Sequence, residues 1–159
     1  MNSMFRGAKA FNQDVSNFDT SSVSVTDMNS MFDSATSFSG RGIANFNTSS
    51  VTDMFGMFAH AVTFNQDLSN FDTSSVTNMA AMFAEARSFN GDVANFDFSS
   101  VADMRVMFRN ASSFNKDLCS WQDSFPYIQA DDIFLFSNCT YQDTPNATQK
   151  GPFCASDCQ

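Results

Sequence analysis

A Met-Phe pair recurs along this chain at a nearly constant interval. Successive pairs are 27, 26, 25 and 25 residues apart, and a degenerate copy, Leu135-Phe136, follows the last one. Further rows of Phe keep the same register. Self-similarity at a fixed period of this length is the signature of a repeat architecture. The pairs are Met4-Phe5, Met31-Phe32, Met57-Phe58, Met82-Phe83 and Met107-Phe108.

Each repeat has two halves that differ in their apolar spacing. One half opens with Ser-x-x-Asp or a close variant, as at Ser24–Asp27 and Ser50–Asp53, and continues with apolar residues at helical spacing. A Ser N-cap followed by this spacing predicts a short helix. The other half, represented by Asp67–Phe71, alternates between apolar and polar residues and predicts a short strand.

Stacking of such repeats turns the Met and Phe rows into continuous internal columns, because one helix and one strand cannot bury a core alone. The predicted fold is a right-handed repeat solenoid, with short parallel β-strands on one face and short helices on the other. Residues 1–123 are predicted to form five tandem repeats, the first of them incomplete, and residues 124–159 an irregular cap that contains cysteines.

All four cysteines lie near the C-terminal end of the chain, at Cys119, Cys139, Cys154 and Cys158. This distribution predicts a disulfide-stapled C-terminal cap in an oxidising compartment. Four cysteines allow three pairings, and spacing does not choose between them. Zinc binding is the competing interpretation, and it is disfavoured because the chain has no Cys-x-x-Cys pair and no histidine near the cysteines.

The charge of the chain restricts its partners. Asp and Glu total 17 against 8 Lys and Arg, for a formal net charge of -9. Nucleic acids and anionic membrane surfaces are therefore disfavoured, since both are bound mainly through Lys and Arg. No apolar run reaches the roughly 18 residues of a transmembrane helix, so this segment is not expected to span a membrane.

The inventory of side chains argues against catalysis. His60 is the only histidine, and its equivalents in other repeats are Ser34, Glu85 and Asn110. The sequence contains no nucleophile elbow, phosphate-binding loop or metal-binding histidine pair. We therefore expect a protein that is not an enzyme and uses no cofactor.

Two sets of candidate sites remain. Asn110, Asn146, Asn47 and Asn138 begin Asn-x-Ser/Thr sequons and are candidate N-glycosylation sites. Asn110, at a variable repeat position that should be exposed, and Asn146, in a polar segment, are favoured, and Asn47 comes next. A row of aspartates falls at equivalent positions in successive repeats, where the carboxylates of Asp67, Asp92 and Asp117 are candidate calcium ligands. The alternative for this row is that the aspartates cap turns and face water, because Asp is an ordinary turn residue.

The repeat resembles a known family. The motif Val-Thr-Asp-Met-x-x-Met-Phe-x-x-Ala-x-x-Phe-Asn-x-Asp-Leu-Ser-x-Phe/Trp-Asp, which residues 51–72 carry, is similar to that of the BspA-like leucine-rich-repeat surface proteins. The resemblance implies a leucine-rich-repeat-like solenoid. It also implies an extracellular or cell-surface location and a role in adhesion or recognition, with protein or glycan ligands. It supplies no catalytic residues.

A structural role is the alternative to recognition. Residues 1–5 repeat residues 28–32 letter for letter, so the first repeat begins without its Ser-x-x-Asp opening. An open end of this kind would let copies of the chain stack head to tail, and heterologous contacts of that type build filaments. The alternative expectation is a structural subunit of a glycosylated extracellular fibre.

Overall fold

The computed structural model describes residues 1–22 and 25–158 as a stack of turns. Its helices are three short 3₁₀ segments, Ile43–Asn45, Cys119–Trp121 and Tyr127–Gln129. The described residues contain no α-helix and no β-strand, only isolated bridges. The predicted fold class, a leucine-rich-repeat-like solenoid of short strands and short helices, is therefore wrong. Three parallel bridges lie in one line, at Asp27–Asp53, Asp53–Asn78 and Asn78–Asp103.

Backbone hydrogen bonds between successive repeats form what we call the turn ladder. In each repeat, four alternate amides of the Met-Phe half donate to carbonyls of the next repeat, and most of the amides that alternate with them close turns on the carbonyl three positions back. The first of these amides instead donates to the side chain two positions back, as Phe55 N does to Asp53 Oδ1 at 2.8 Å. In the third repeat the four inter-repeat bonds are Met54 N to Asn78 O at 2.9 Å, Gly56 N to Ala80 O at 3.0 Å, Phe58 N to Met82 O at 2.9 Å and His60 N to Ala84 O at 2.8 Å.

This alternation excludes an α-helix, in which every amide bonds the residue four positions back. Every fourth residue of the Met-Phe half also has a positive φ, including Ala81 at 56° and Glu85 at 59°. Left-handed residues at this frequency cannot belong to a right-handed helix. A turn that repeats every four residues buries side chains at nearly the spacing of a 3.6-residue helix, and this is why the apolar pattern predicted one.

The Ser residues of the Ser-x-x-Asp opening do not cap helices. Ser75 Oγ donates to Ser49 O at 3.0 Å, and Ser100 Oγ donates to Ser74 O at 2.7 Å, in both cases a carbonyl of the preceding repeat. Ser24, which begins the opening predicted at Ser24–Asp27, lies outside the described residues. These hydroxyls therefore join repeats rather than begin helices.

The half predicted as a strand is also a turn. Phe71 N donates to Leu68 O at 2.9 Å, and Leu68 N donates to Asp92 O of the next repeat at 3.1 Å. The 3₁₀ segments Ile43–Asn45 and Cys119–Trp121 occupy the same place in their own repeats. One inter-repeat bond does not make a ladder, so the strand predicted for Asp67–Phe71 is absent.

Phe rings fill the centre of the stack. Phe58 and Phe64 of one repeat stack with their ring centroids 4.0 Å apart, and Phe58 stacks on Phe83 of the next repeat at 5.7 Å. The same arrangement recurs from Phe5 to Phe114, and the Phe side chains that stack in this way are fully buried in the second to fifth repeats, as are the side chains of the Met row there. The prediction that the Met and Phe rows form the core is confirmed for the second to fifth repeats, whereas Met4 of the first repeat is 55% exposed.

The turn ladder continues into the region predicted as the cap. Val106 N donates to Asp131 O and Phe108 N donates to Ile133 O, both at 2.9 Å. Phe134 is fully buried and stacks on Phe108 at 5.9 Å. Ile133-Phe134 therefore takes the place of the Met-Phe pair, and the assignment of that place to Leu135-Phe136 was wrong by two residues.

Two disulfides close the C-terminal end. Cys119 pairs with Cys158 across 39 residues, and Cys139 pairs with Cys154 across 15 residues. The described part of the chain has no free cysteine. The structure thus selects one of the three pairings that the sequence left open.

Candidate functional site

The outer side of the turn ladder is where the repeats differ from one another. Two columns of equivalent positions run along it. The first contains Asn29, Phe55, Ala80, Arg105 and Asp131, and the second contains Ser34, His60, Glu85, Asn110 and Phe136. The columns change side chain at almost every repeat, whereas the Phe rows behind them stay constant through the first five repeats. Variable side chains on a constant core give a surface whose chemistry changes from repeat to repeat.

A first groove of about 400 Å³ crosses the first column, from Phe55 in the third repeat to Asp131 beyond the fifth. Phe55, which is 41% exposed, lies at one side of it, and Asp131 and Asp132 lie at the other. Arg105 lines the groove between them and forms a bidentate ion pair with Asp103, with Nε–Oδ1 at 3.0 Å and Nη2–Oδ2 at 2.6 Å. The hydrogen bonds from Arg105 lower the pKa of the Asp103 carboxyl. The charged residues lining this groove are three carboxylates and one guanidinium.

A second groove of about 360 Å³ crosses the second column next to the disulfide-bonded region. It is lined by Glu85, Arg87, Asn110, Ser112 and Phe136. Phe136 is 59% exposed, more than any other large apolar side chain in the described residues. The sequence interpretation missed this position because it assigned Phe136 to the buried Met-Phe row.

The four sequon asparagines differ in exposure. Asn47, Asn138 and Asn146 are exposed, whereas Asn110 is partly buried, so the expectation that Asn110 is exposed was wrong. Asn110 Nδ2 donates to Glu85 Oε1 at 2.6 Å, so the nitrogen that would carry a glycan is already bonded within the repeat stack. Asn146 lies in a tight turn, where its Oδ1 accepts the Thr148 amide at 2.7 Å.

The aspartate row caps turns. The Oδ1 atoms of Asp67, Asp92 and Asp117 accept the backbone amide two residues ahead, at 2.7, 2.9 and 3.0 Å. The three carboxylates do not bring their oxygens together at one point. The described residues contain one compact group of metal-ligand types, Asp117 with Cys119 and Cys158, and its two sulfurs are joined in a disulfide.

Hydrogen bonds from backbone amides and Ser hydroxyls to the carboxylates lower the pKa of several aspartates, including Asp67 and Asp72. Acid is therefore expected to destabilise the fold. At Asp72 the first cause is the hydroxyl of Ser74, at 2.6 Å from Oδ1, and at Asp67 it is the backbone amide of Ser69. A carboxyl whose pKa is lower in the folded state adds stability above its unfolded pKa of about 3.9, and this stability is lost as the pH falls through the folded pKa. We expect a constant melting temperature from neutral pH down to about pH 5 and a decline below about pH 4.

The chain provides the control for this prediction. Asn47 occupies the place of Asp72 one repeat earlier, and its Oδ1 accepts the same two bonds from Ser49, at 3.1 and 2.7 Å. Asp72→Asn should therefore keep the turn, should lower the melting temperature slightly at pH 7 because a neutral amide oxygen is a weaker acceptor than a carboxylate, and should reduce the loss between pH 7 and pH 3. A melting curve that is flat down to pH 3 in the parent chain would contradict the assignment.

Two polar ladders between the repeats were not predicted, a buried one of Thr hydroxyls and a more exposed one of Asn side chains. Thr20, Thr48 and Thr73 are buried, and their hydroxyls bridge to the backbone of the next repeat. Asn65 Oδ1 accepts the amide of Asn90 at 2.9 Å, and Asn90 Oδ1 accepts the amide of Asn115 at 3.1 Å. The recurring Phe-Asn pair was the available signal for the second ladder, because an Asn that recurs beside a core residue is placed to bond between repeats.

Thr73 allows the contribution of a bridging hydroxyl to be measured. It is 1% exposed, and its Oγ1 accepts the Asp97 amide at 2.7 Å and donates to the Asp97 carbonyl at 3.1 Å. Thr73→Val keeps the shape and leaves both backbone groups unpaired, so we expect a loss of about 1–3 kcal/mol in the free energy of unfolding. Thr73→Ser retains the hydroxyl and should lose less in urea unfolding. Equal losses in the two variants would show that the hydroxyl contributes nothing.

No helix in the described part of the chain is long enough to cross a bilayer. No curated protein and no solved structure is significantly similar to the chain. One family does match, in two overlapping segments, residues 1–67 and 26–144, which together include the turn ladder and part of the disulfide-bonded region. The chain belongs to the family described as "Mycoplasma protein of unknown function, DUF285".

Proposed function

We propose that this chain is an extracellular or cell-surface protein that is not an enzyme and acts in adhesion or recognition. The repeat motif resembles that of the BspA-like surface proteins, and the family match is compatible with a repeat protein of that kind. The two disulfides support an oxidising location, because such bonds are rare in reducing compartments.

One observation carries the proposal, namely the contrast between the inside and the outside of the turn ladder. Phe58, Phe83 and Phe108 repeat one buried position without change, while His60, Glu85 and Phe136 vary one outer position. Repeat proteins use extended surfaces of this kind for binding, since each repeat adds side chains to one continuous face. The two grooves lie on this face and give it local concavity.

The proposal assigns no catalytic role to the titratable groups of this surface. The ring of His60 is exposed, and its Nδ1 lies 3.2 Å from Asp33 Oδ1, which places the histidine in a surface ion pair when it is protonated. Arg6 bonds the other oxygen of the same carboxylate at 3.1 Å. Such pairs orient exposed side chains and are worth little in stability.

We further propose that the protein carries N-linked glycans at exposed sequons. The exposure of Asn47, Asn138 and Asn146 supports these three, and Asn110 is the least accessible of the four because of its bond to Glu85. Mass spectrometry of peptides from the native protein, before and after enzymatic deglycosylation, tests each site. Unmodified peptides at all four positions would reject this part of the proposal.

Surface location and binding can be tested separately. Antibody labelling of intact against permeabilised cells of the source organism tests the location, and label that requires permeabilisation would reject it. Binding of the purified chain to immobilised extracellular matrix proteins and glycans tests recognition. Electron microscopy of the native material tests the alternative role, because regular filaments would identify a structural subunit instead.

A further inference from the structure

The second groove combines one exposed aromatic ring with a fixed set of polar groups. Phe136 supplies the ring, and Glu85, Arg87, Asn110 and Ser112 surround the same space. Glu85, Asn110 and Phe136 come from three successive levels of the turn ladder. The bonds Glu85 N to Arg109 O at 2.8 Å and Asn110 N to Leu135 O at 3.0 Å hold those levels in register. The groove is therefore built on backbone that the ladder fixes.

Its polar groups are held by one another. Glu85 Oε1 accepts from Asn110 Nδ2 at 2.6 Å, and Glu85 Oε2 accepts from Arg87 Nη2 at 3.3 Å. The carboxylate and the guanidinium cancel in charge. Each group keeps capacity for further bonds, since a carboxylate oxygen has more than one lone pair, a guanidinium has five donors and an amide has both donors and an acceptor.

We propose that this groove binds a neutral saccharide. A pyranose ring has an apolar C–H face that packs on an aromatic ring, and a rim of hydroxyls that each donate and accept hydrogen bonds. The ring of Phe136 matches the first feature, and the polar groups around Glu85 match the second. The proposal rests on the proposed function and names the ligand class for one part of the recognition surface.

Charge and size select the kind of saccharide. The groove offers no unpaired cation to hold a sulfate or carboxylate, and the net charge of -9 on the chain repels anionic sugars. A volume of about 360 Å³ lies at the small end of the range for ligand pockets and suits one or two sugar rings. The first groove differs, because the excess of carboxylates around Arg105 leaves it acidic.

The test is a titration of the ¹⁵N-labelled full chain with glucose, galactose, mannose and N-acetylglucosamine. We expect at least one of them to shift the backbone amide signals of Glu85 and Asn110. Phe136→Ser should weaken binding at least about tenfold, which corresponds to 1.4 kcal/mol. Glu85→Ala, which removes the centre of the polar network, should weaken it as well. Phe55→Ser, the matched change of an exposed Phe in the first groove, should leave binding unchanged.

Several outcomes would overturn the inference. In the titration, these outcomes are the absence of shifts with all four sugars, shifts that Phe136→Ser leaves intact, and shifts located in the first groove. In mass spectrometry of the native protein, the contradicting outcome is a glycan on Asn110 in the tryptic peptide 110–116. Binding to matrix proteins without any sugar-induced shift would reject the inference and leave the proposed function standing. Sugar binding through Phe136 in a protein that is absent from the cell surface would support the inference and reject the proposed location.

Discussion

Phe83→Ala is expected to remove about 3–5 kcal/mol from the free energy of unfolding. Phe83 is fully buried in the middle of the Phe columns, where its ring centroid lies 4.1 Å from Phe89, 5.7 Å from Phe58 and 5.3 Å from Phe108. Truncation loses the transfer free energy of the ring and leaves a cavity bounded by three other rings. Those rings belong to repeats that the turn ladder joins, and its backbone hydrogen bonds oppose collapse of the surrounding structure into the cavity.

Urea unfolding followed by the fluorescence of Trp121 measures this loss. Trp121 is the only tryptophan and is buried, with its Nε1 donating to Val93 O at 3.3 Å, so its emission reports the last repeat. Phe55→Ala is the matched control, because Phe55 is exposed on the outer face, and it should change stability by no more than about 0.5 kcal/mol. If Phe83→Ala unfolds the chain entirely, Phe83→Leu should give a smaller, measurable loss. Equal losses for Phe83→Ala and Phe55→Ala would contradict the assignment of the core.

The period and the buried rows of this fold were predictable from the sequence, but its secondary structure was not. The spacing of Met54, Phe58 and Ala61 correctly marks the inside, because burial follows position in the repeat. The same spacing suits an α-helix and a turn that recurs every four residues, and periodicity alone does not separate them. The feature that separates the two is a positive φ at residues such as Ala81 and Val106. Ala and Val are not residue types that favour a positive φ, so the sequence does not predict it.

The candidate site was predictable only where repeat alignment was secure. Variation among Ser34, His60, Glu85 and Asn110 correctly placed that column outside the core. Phe136 was missed because the sixth copy of the Met-Phe pair had diverged to Ile133-Phe134, and two apolar pairs then competed for one position. Only the burial of Phe134 and the exposure of Phe136 resolve the register.

Removal of the Cys119–Cys158 disulfide is expected to cost about 4 kcal/mol, because it closes a long loop and restricts the unfolded chain. The bond spans 39 residues, whereas Cys139–Cys154 spans 15, for which the same reasoning gives about 3 kcal/mol. The paired variants are Cys119→Ala with Cys158→Ala and Cys139→Ala with Cys154→Ala. Urea unfolding of both, followed by Trp121 fluorescence, measures the two costs with the same probe.

The difference in burial between the two disulfides acts against the difference in loop length. The comparison therefore distinguishes a packing contribution from a loop-closure contribution. Cys139 and Cys154 are buried, whereas Cys119 and Cys158 are partly exposed. Loss of the two buried sulfurs adds a packing cost that the entropy of loop closure does not include. If Cys139→Ala with Cys154→Ala proves the more destabilising pair, packing rather than loop closure stabilises this end of the stack. Under mild reduction and alkylation without denaturant, Cys119 and Cys158 should be labelled first, because a reductant reaches the exposed bond sooner. Labelling of Cys139 and Cys154 first would contradict the burial on which this comparison depends.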